Sequence, residues 1–124
     1  MILMNDFKAE PLALREAMQA AAVRVFESGW YVLGRELEAF EREWATVCGI
    51  DHAVGVGNGM DAIEIALRAL DIGPGDEVIT TPMTAFATVL AILRAGSTPV
   101  LADIDPDTAL LSMASAERCL TQRT

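Results

Sequence analysis

Positive charge is scarce in this sequence. Nine basic side chains stand against 18 acids, for a net charge of −9, and eight of the nine are arginines. That balance argues against a nucleic-acid surface and against an anionic membrane surface, since both need basic patches. Lysine is reduced to one residue, Lys8, and histidine to one, His52. Cysteine occurs twice, at Cys48 and Cys119, without a C-x-x-C partner or the Cys/His spacing of a zinc site. Two distant thiols read as the reduced thiols of a cytoplasmic protein. Met1-Ile2-Leu3-Met4 lacks the basic region and long apolar stretch of a signal peptide. The longest largely apolar run, Met83 to Leu93, is too short to cross a bilayer and ends at Arg94. No internal repeat or low-complexity stretch is present.

What remains is the composition of a globular chain. Of its 124 residues, 52% are hydrophobic and 22% charged, which excludes intrinsic disorder. That length suits one domain, and folding would bury roughly two-thirds of the unfolded surface.

Leu14, Met18, Ala21, Ala22 and Val25 line one face of a helix from about Pro11 to Glu27, stopped by Ser28-Gly29. Leu37, Phe40, Trp44 and Val47 mark a second helix, ended by Gly49, whose other face (Glu36, Glu38, Glu41, Glu43) reads as solvated. The pattern then changes. Ala53 to Gly57 reads as a buried strand, and Asn58 as an N-cap with Asp61 in the capping-box position. Ile63, Ala66, Leu67 and Leu70 carry a third helix, and Val78 to Thr81 a second strand. Thr84 to Ala95 is an apolar helix closed by Gly96, and Pro99 to Asp103 a third strand. A final helix, capped by Ser112 or Ser115, runs through Leu120. Helices over residues 1–50 thus precede a β-α-β-α-β-α series over 51–124. That alternation implies parallel strands in an α/β layered fold. A polar tail after the last helix falls where another strand of such a series would start.

The informative segment is Gly55-Val-Gly57-Asn58-Gly59-Met60-Asp61. A glycine-rich turn between a strand and a helix presents unpaired N–H groups at the positive end of the helix dipole, which suits an anion. The alternative is a tight turn that uses glycine for close packing. The dinucleotide fingerprint fails because its third glycine would fall at Met60, and no Gly-Lys-Ser/Thr follows for a P-loop. The Asp61 carboxylate opposes an anion, so binding there rests on backbone amides. Asp103-Ile-Asp105-Pro-Asp107 begins like a calcium loop, but Thr108 and Ala114 stand where an EF-hand needs Gly and Glu, so it reads as a surface turn. His52 reads as structural. Trp30 and Tyr31, in a glycine-flanked loop, suit either a pocket lining or an apolar anchor.

Six segments in order resemble the N-terminal part of the nucleotide-sugar aminotransferases of the DegT/DnrJ/StrS family. They are Ser28-Gly-Trp-Tyr-Val-Leu-Gly34, Phe40-Glu-Arg-Glu-Trp-Ala45, Gly57-Asn-Gly-Met-Asp-Ala62, Gly73-Pro-Gly-Asp-Glu-Val-Ile79, Thr81-Pro-Met-Thr-Ala-Phe-Ala-Thr88 and Pro99-Val-Leu-Ala-Asp-Ile-Asp105. The resemblance implies an incomplete large domain, over residues 1–124, of a fold-type-I pyridoxal 5′-phosphate (PLP) enzyme. Such enzymes are usually homodimers that move an amino group from glutamate to a keto sugar on a nucleotide. It also implies that the loop holding Gly59, Met60 and Asp61 binds the PLP phosphate, chiefly through the amides of Met60 and Asp61. Many members carry an aromatic residue, stacked on the cofactor ring, at the position of Ala85; here the aromatic is Phe86. Thr84 matches the family's Ser/Thr.

No catalytic residue carries over. The family's Schiff-base lysine and the acid that holds the pyridinium nitrogen protonated both lie downstream of the segment matching Thr124, and Lys8 falls outside every motif. Two readings follow. One is the N-terminal fragment of a sugar aminotransferase, inactive by itself. The other is a non-catalytic remnant or interaction module. A dinucleotide-binding module is disfavoured by Met60.

Overall fold

A computed structural model describes residues 6–124 and places helix ends close to where the glycines predict them. A 3-10 turn at Phe7–Ala9 precedes α1 (Leu12–Ser28) and α2 (Arg35–Cys48). Then follow α3 (Gly59–Ala69), β1 (Glu77–Thr80), α4 (Phe86–Ala95), β2 (Thr98–Leu101) and α5 (Met113–Arg118). Gly49 ends α2 at φ 67° and Gly96 ends α4 at φ 93°, left-handed conformations that side chains disfavour. The chain divides into two compact units, the first ending at Gly55 and the second running from Val56 to Thr124.

In the first unit, Arg24 grips Glu36 with two parallel hydrogen bonds, Nε–Oε1 at 3.0 Å and Nη2–Oε2 at 3.2 Å. These bonds hold the Glu36 carboxyl below the usual carboxylate range. Phe40 and Trp44 stack at 5.9 Å between ring centroids. The helix predicted from Leu14, Met18 and Val25 forms, but its stripe is not a core face: Leu14 and Met18 are exposed. Ala45 is the buried apolar residue of α2.

In the second unit β1 and β2 pair in parallel, with Val78 opposite Pro99 and Ile79 opposite Val100. Thr98 N–H donates to the Asp76 carbonyl (2.9 Å) and Ala102 N–H to that of Thr80 (2.8 Å). Alternation along the ladder turns Pro99, which has no N–H to offer, away from β1. The crossover helix α4 packs on both strands and against α3, burying Ala91, Ile92 and Ala95. At the other edge of β1, Glu77 N–H donates to the Arg123 carbonyl (2.8 Å). The buried Glu77 carboxylate accepts from Thr121 Oγ1 (2.6 Å) and pairs with the Arg123 guanidinium. Parallel strands joined by a helical crossover place the chain in the α/β class.

The first predicted strand does not form. Residues 53–57 carry no ladder pairing, and Val54 is 78% exposed. A strand exists by pairing, and among the described residues this segment makes no backbone–backbone hydrogen bond. Gly55 N–H instead donates to the Glu41 side chain, Oε1, at 2.7 Å. The acidic face of α2 is therefore not purely solvated: Glu41 supplies the acceptor a ladder would have given, and Glu36 holds Arg24.

The predicted surface turn closes on itself. Asp105 Oδ1 accepts from the N–H groups of Thr108 (3.0 Å) and Asp107 (3.0 Å) and from Thr108 Oγ1 (3.2 Å). Those donors hold the Asp105 carboxyl below its ordinary range.

Two outcomes follow from this packing. Ile92→Ala removes the largest fully buried side chain and is expected to destabilise the chain by about 2–4 kcal/mol, read as a fall in urea midpoint at fixed protein concentration. A change within error of zero would mean that α4 is not the core helix. The exposed Leu12, Leu14, Met18, Val23 and Phe26 of α1, added to a sheet of two strands, favour association. Light scattering is expected to report a mass above the 13.3 kDa of one chain. A cleanly monomeric, cooperatively melting species would contradict this.

Candidate functional site

The start of α3 holds the arrangement that the sequence singles out. Asn58 is extended (φ −167°, ψ 172°) and its Oδ1 accepts from Asp61 N–H at 3.0 Å. Asp61 Oδ2 returns a bond, accepting from Asn58 Nδ2 at 2.9 Å. This is the expected capping box with one change. The shorter Asp reaches the side-chain amide of Asn58 rather than its backbone N–H. Ala62 N–H donates to the Asn58 carbonyl at 3.1 Å. Four N–H groups at a helix start need acceptors from outside the helix. Those four belong to Asn58, Gly59, Met60 and Asp61: Asp61 is served by the Asn58 side chain, Ala62 makes the first ordinary bond of the helix, and the other three, Gly59 and Met60 among them, find no acceptor among the described residues.

Gly59 is exposed. A Cβ built on Gly59 would meet no atom within 4 Å. One built on Gly57 would stand 3.2 Å from Asp61 Oδ2, so glycine there leaves room for the carboxylate. Two uncommitted N–H groups at the positive end of an eleven-residue helix fit a phosphate group.

Arg94, which the sequence reading used only as the end of an apolar run, reaches this turn from α4. Its Nη1 lies 3.6 Å from Asp61 Oδ1 and 3.9 Å from Met60 Sδ. Its Nε is 2.7 Å from Glu64 Oε2, and Arg68 takes the other oxygen of Glu64 at 3.0 Å. Arg68 Nη2 also donates to the Arg94 carbonyl at 2.6 Å. No motif spacing marks Arg94, since it meets Asp61 only through the packing of α4 on α3.

The remaining candidates sit as follows. Ala85 is the extended N-cap residue of α4 (φ −61°, ψ 139°), and Phe86 after it is 75% exposed. Thr84 and Thr88 hydroxyls share a hydrogen bond of 3.0 Å. Trp30 and Tyr31 are exposed, with Tyr31 edge-on to Phe26 at 6.2 Å. His52 lines an open cleft of about 280 Å³ with Glu38, Glu41, Arg42 and Asp51. Lys8 is exposed in the 3-10 turn, and its backbone N–H donates to Asp6 Oδ1.

Known proteins resemble the chain in sequence and in overall fold. The model of the DegT/DnrJ/EryC1/StrS aminotransferase family matches residues 13–124. The dTDP-3-amino-3,4,6-trideoxy-alpha-D-glucose transaminase of Streptomyces venezuelae is 49% identical over 119 residues, taking in 96% of this chain and 31% of the relative. The dTDP-3-amino-3,6-dideoxy-alpha-D-galactopyranose transaminase of Aneurinibacillus thermoaerophilus is 43% identical over 124 residues, covering 100% of this chain and 34% of the relative. Among solved structures, Streptomyces venezuelae DesV in complex with a ketimine intermediate superposes with a TM-score of 0.89 at 49% identity, over 96% of this chain and 32% of that one. A sugar aminotransferase from Streptococcus pneumoniae in its PLP form superposes at 0.83 with 34% identity, over 88% of this chain and 28% of that one. The chain thus spans about a third of the length of the curated relatives it matches. With the family match running through α1 to the last residue, the chain belongs to the DegT/DnrJ/EryC1/StrS aminotransferase family.

Proposed function

We propose that these residues supply the cofactor-phosphate cradle of a PLP-dependent aminotransferase, and that by themselves they transfer no amino group. The substrate would be a keto sugar on a nucleotide and the donor glutamate, in a cytoplasmic homodimer. The observation that carries the reading is the pair of uncommitted amides at Gly59 and Met60, in the segment where the family holds the cofactor phosphate.

In this reading PLP, when bound, supplies an electron sink for the bonds around the amino-bearing carbon. Gly59 and Met60 donate their N–H groups to its phosphate. Asp61 N–H, already engaged by Asn58, contributes by keeping the turn in shape, or donates only if the Asn58 side chain swings away. Met60 brings an amide but no hydroxyl to the phosphate. Ala85, at the head of α4, offers a methyl group to the ring where an aromatic would stack. Residues 1–124 would together form part of a large domain.

The lack of activity follows from the lysine count. Lys8 is the one lysine among these residues, and it is exposed beside Asp6 and Glu10. Schiff-base chemistry needs a lysine in the cofactor site, and Lys8 lies outside residues 13–124, the span of the family match. The same count supports the second reading, a non-catalytic interaction module, for these residues acting alone.

The test adds PLP to the purified chain, reduces with borohydride and maps any labelled lysine. No stoichiometric label on Lys8 and no glutamate-dependent amino transfer are expected. A specific one-to-one label on Lys8 accompanied by transfer would overturn the proposal.

A further inference from the structure

We infer that Arg94 is a positioning residue for the anion cradle: its guanidinium cancels the Asp61 carboxylate beside the Gly59 and Met60 amides, and so lets a phosphate dianion approach them. The inference rests on the cofactor reading above and names a group that this reading leaves unassigned.

The cradle carries a built-in conflict. Asp61 is needed as the return half of the cap, through Oδ2 and Asn58 Nδ2 at 2.9 Å. Yet its carboxylate lies within one helical turn of both open amides, where it repels the anion that they attract. The other oxygen, Oδ1, faces Arg94 Nη1 at 3.6 Å. Arg94 is held there by its own bond to Glu64, Nε–Oε2 at 2.7 Å. Glu64 is balanced in turn by Arg68. Two acids and two arginines therefore make a neutral group at the head of α3. Without Arg94 the group has one excess negative charge facing the incoming anion. Arg94 belongs to α4, so the packing of α4 on α3 is what delivers this charge. Met60 Sδ, 3.9 Å from Nη1, keeps the guanidinium against the same turn.

The probe is inorganic phosphate, titrated calorimetrically into the full chain at low ionic strength. Arg94→Gln is expected to weaken phosphate binding on the order of ten-fold. Arg94→Lys keeps the charge but cannot bridge Glu64 and Asp61 as the guanidinium does, and its affinity is expected to fall between those of the unaltered chain and Arg94→Gln. The double variant Arg94→Gln with Asp61→Asn restores neutrality and should return to within about three-fold of the unaltered chain. A role for Arg94 in merely fastening α4 to α3 would not be rescued by Asp61→Asn. If Arg94→Gln does not fold, Asp61→Asn alone decides, and tightening of several-fold is expected. Unchanged affinity in Arg94→Gln, failure of rescue in the double variant, or unchanged or weaker binding in Asp61→Asn overturns the role of Arg94 and leaves the cradle standing. No saturable phosphate binding by the unaltered chain overturns the cradle reading and the inference together.

Discussion

An α-helix cannot satisfy its own first four N–H groups, and how α3 distributes them decides what this chain can bind. One of the four, Asp61, is served by the Asn58 side chain, while Ala62 makes the first regular bond of the helix to the Asn58 carbonyl. The economy of that cap leaves Gly59 and Met60 open, side by side, at the positive end of the dipole. The two open amides are therefore a by-product of how the helix starts.

The turn is held in place by the second unit's packing. β1 and β2 fix the ends of α4 through a crossover, and α4 lies on α3 with Ala91, Ile92 and Ala95 buried. That packing carries Arg94 to Asp61. Burial, not charge, brings the two together; the exposed ion pairs themselves contribute little to stability. At the far side of β1 the Glu77 carboxylate is buried and is matched by Thr121 and Arg123. A buried carboxylate without those partners would be costly, so this corner couples residues 121–124 to the start of the sheet.

Much of this was legible in the sequence because it rests on local chemistry. Asn58 and Asp61 announce the cap three residues apart, Gly49 and Gly96 the helix ends, and Pro99 the start of a strand that begins one residue earlier, at Thr98. The glycine turn pointed to an anion before any coordinates did, and six ordered segments pointed to the family. What was not legible is what depends on partners distant in the chain. Residues 53–57 have a strand's composition, but a strand requires a pairing partner, and none of the described residues makes a backbone–backbone hydrogen bond with this segment. Glu41 and Glu36 looked like a solvated face because the helix period says nothing of Gly55 or Arg24. Leu14 and Met18 have the spacing of a core stripe, yet remain exposed. Arg94 is the plainest case, since only the α3–α4 contact gives it a role.

The allocation of the amides from Gly59 to Ala62 can be read directly. Inorganic phosphate titrated into the ¹⁵N-labelled chain should shift the Gly59 and Met60 amide resonances together and saturably. The Asp61 and Ala62 amides, already bonded to Asn58, should move less. Shifts that gather elsewhere and spare Gly59 and Met60 would contradict the account of the α3 turn as an anion cradle.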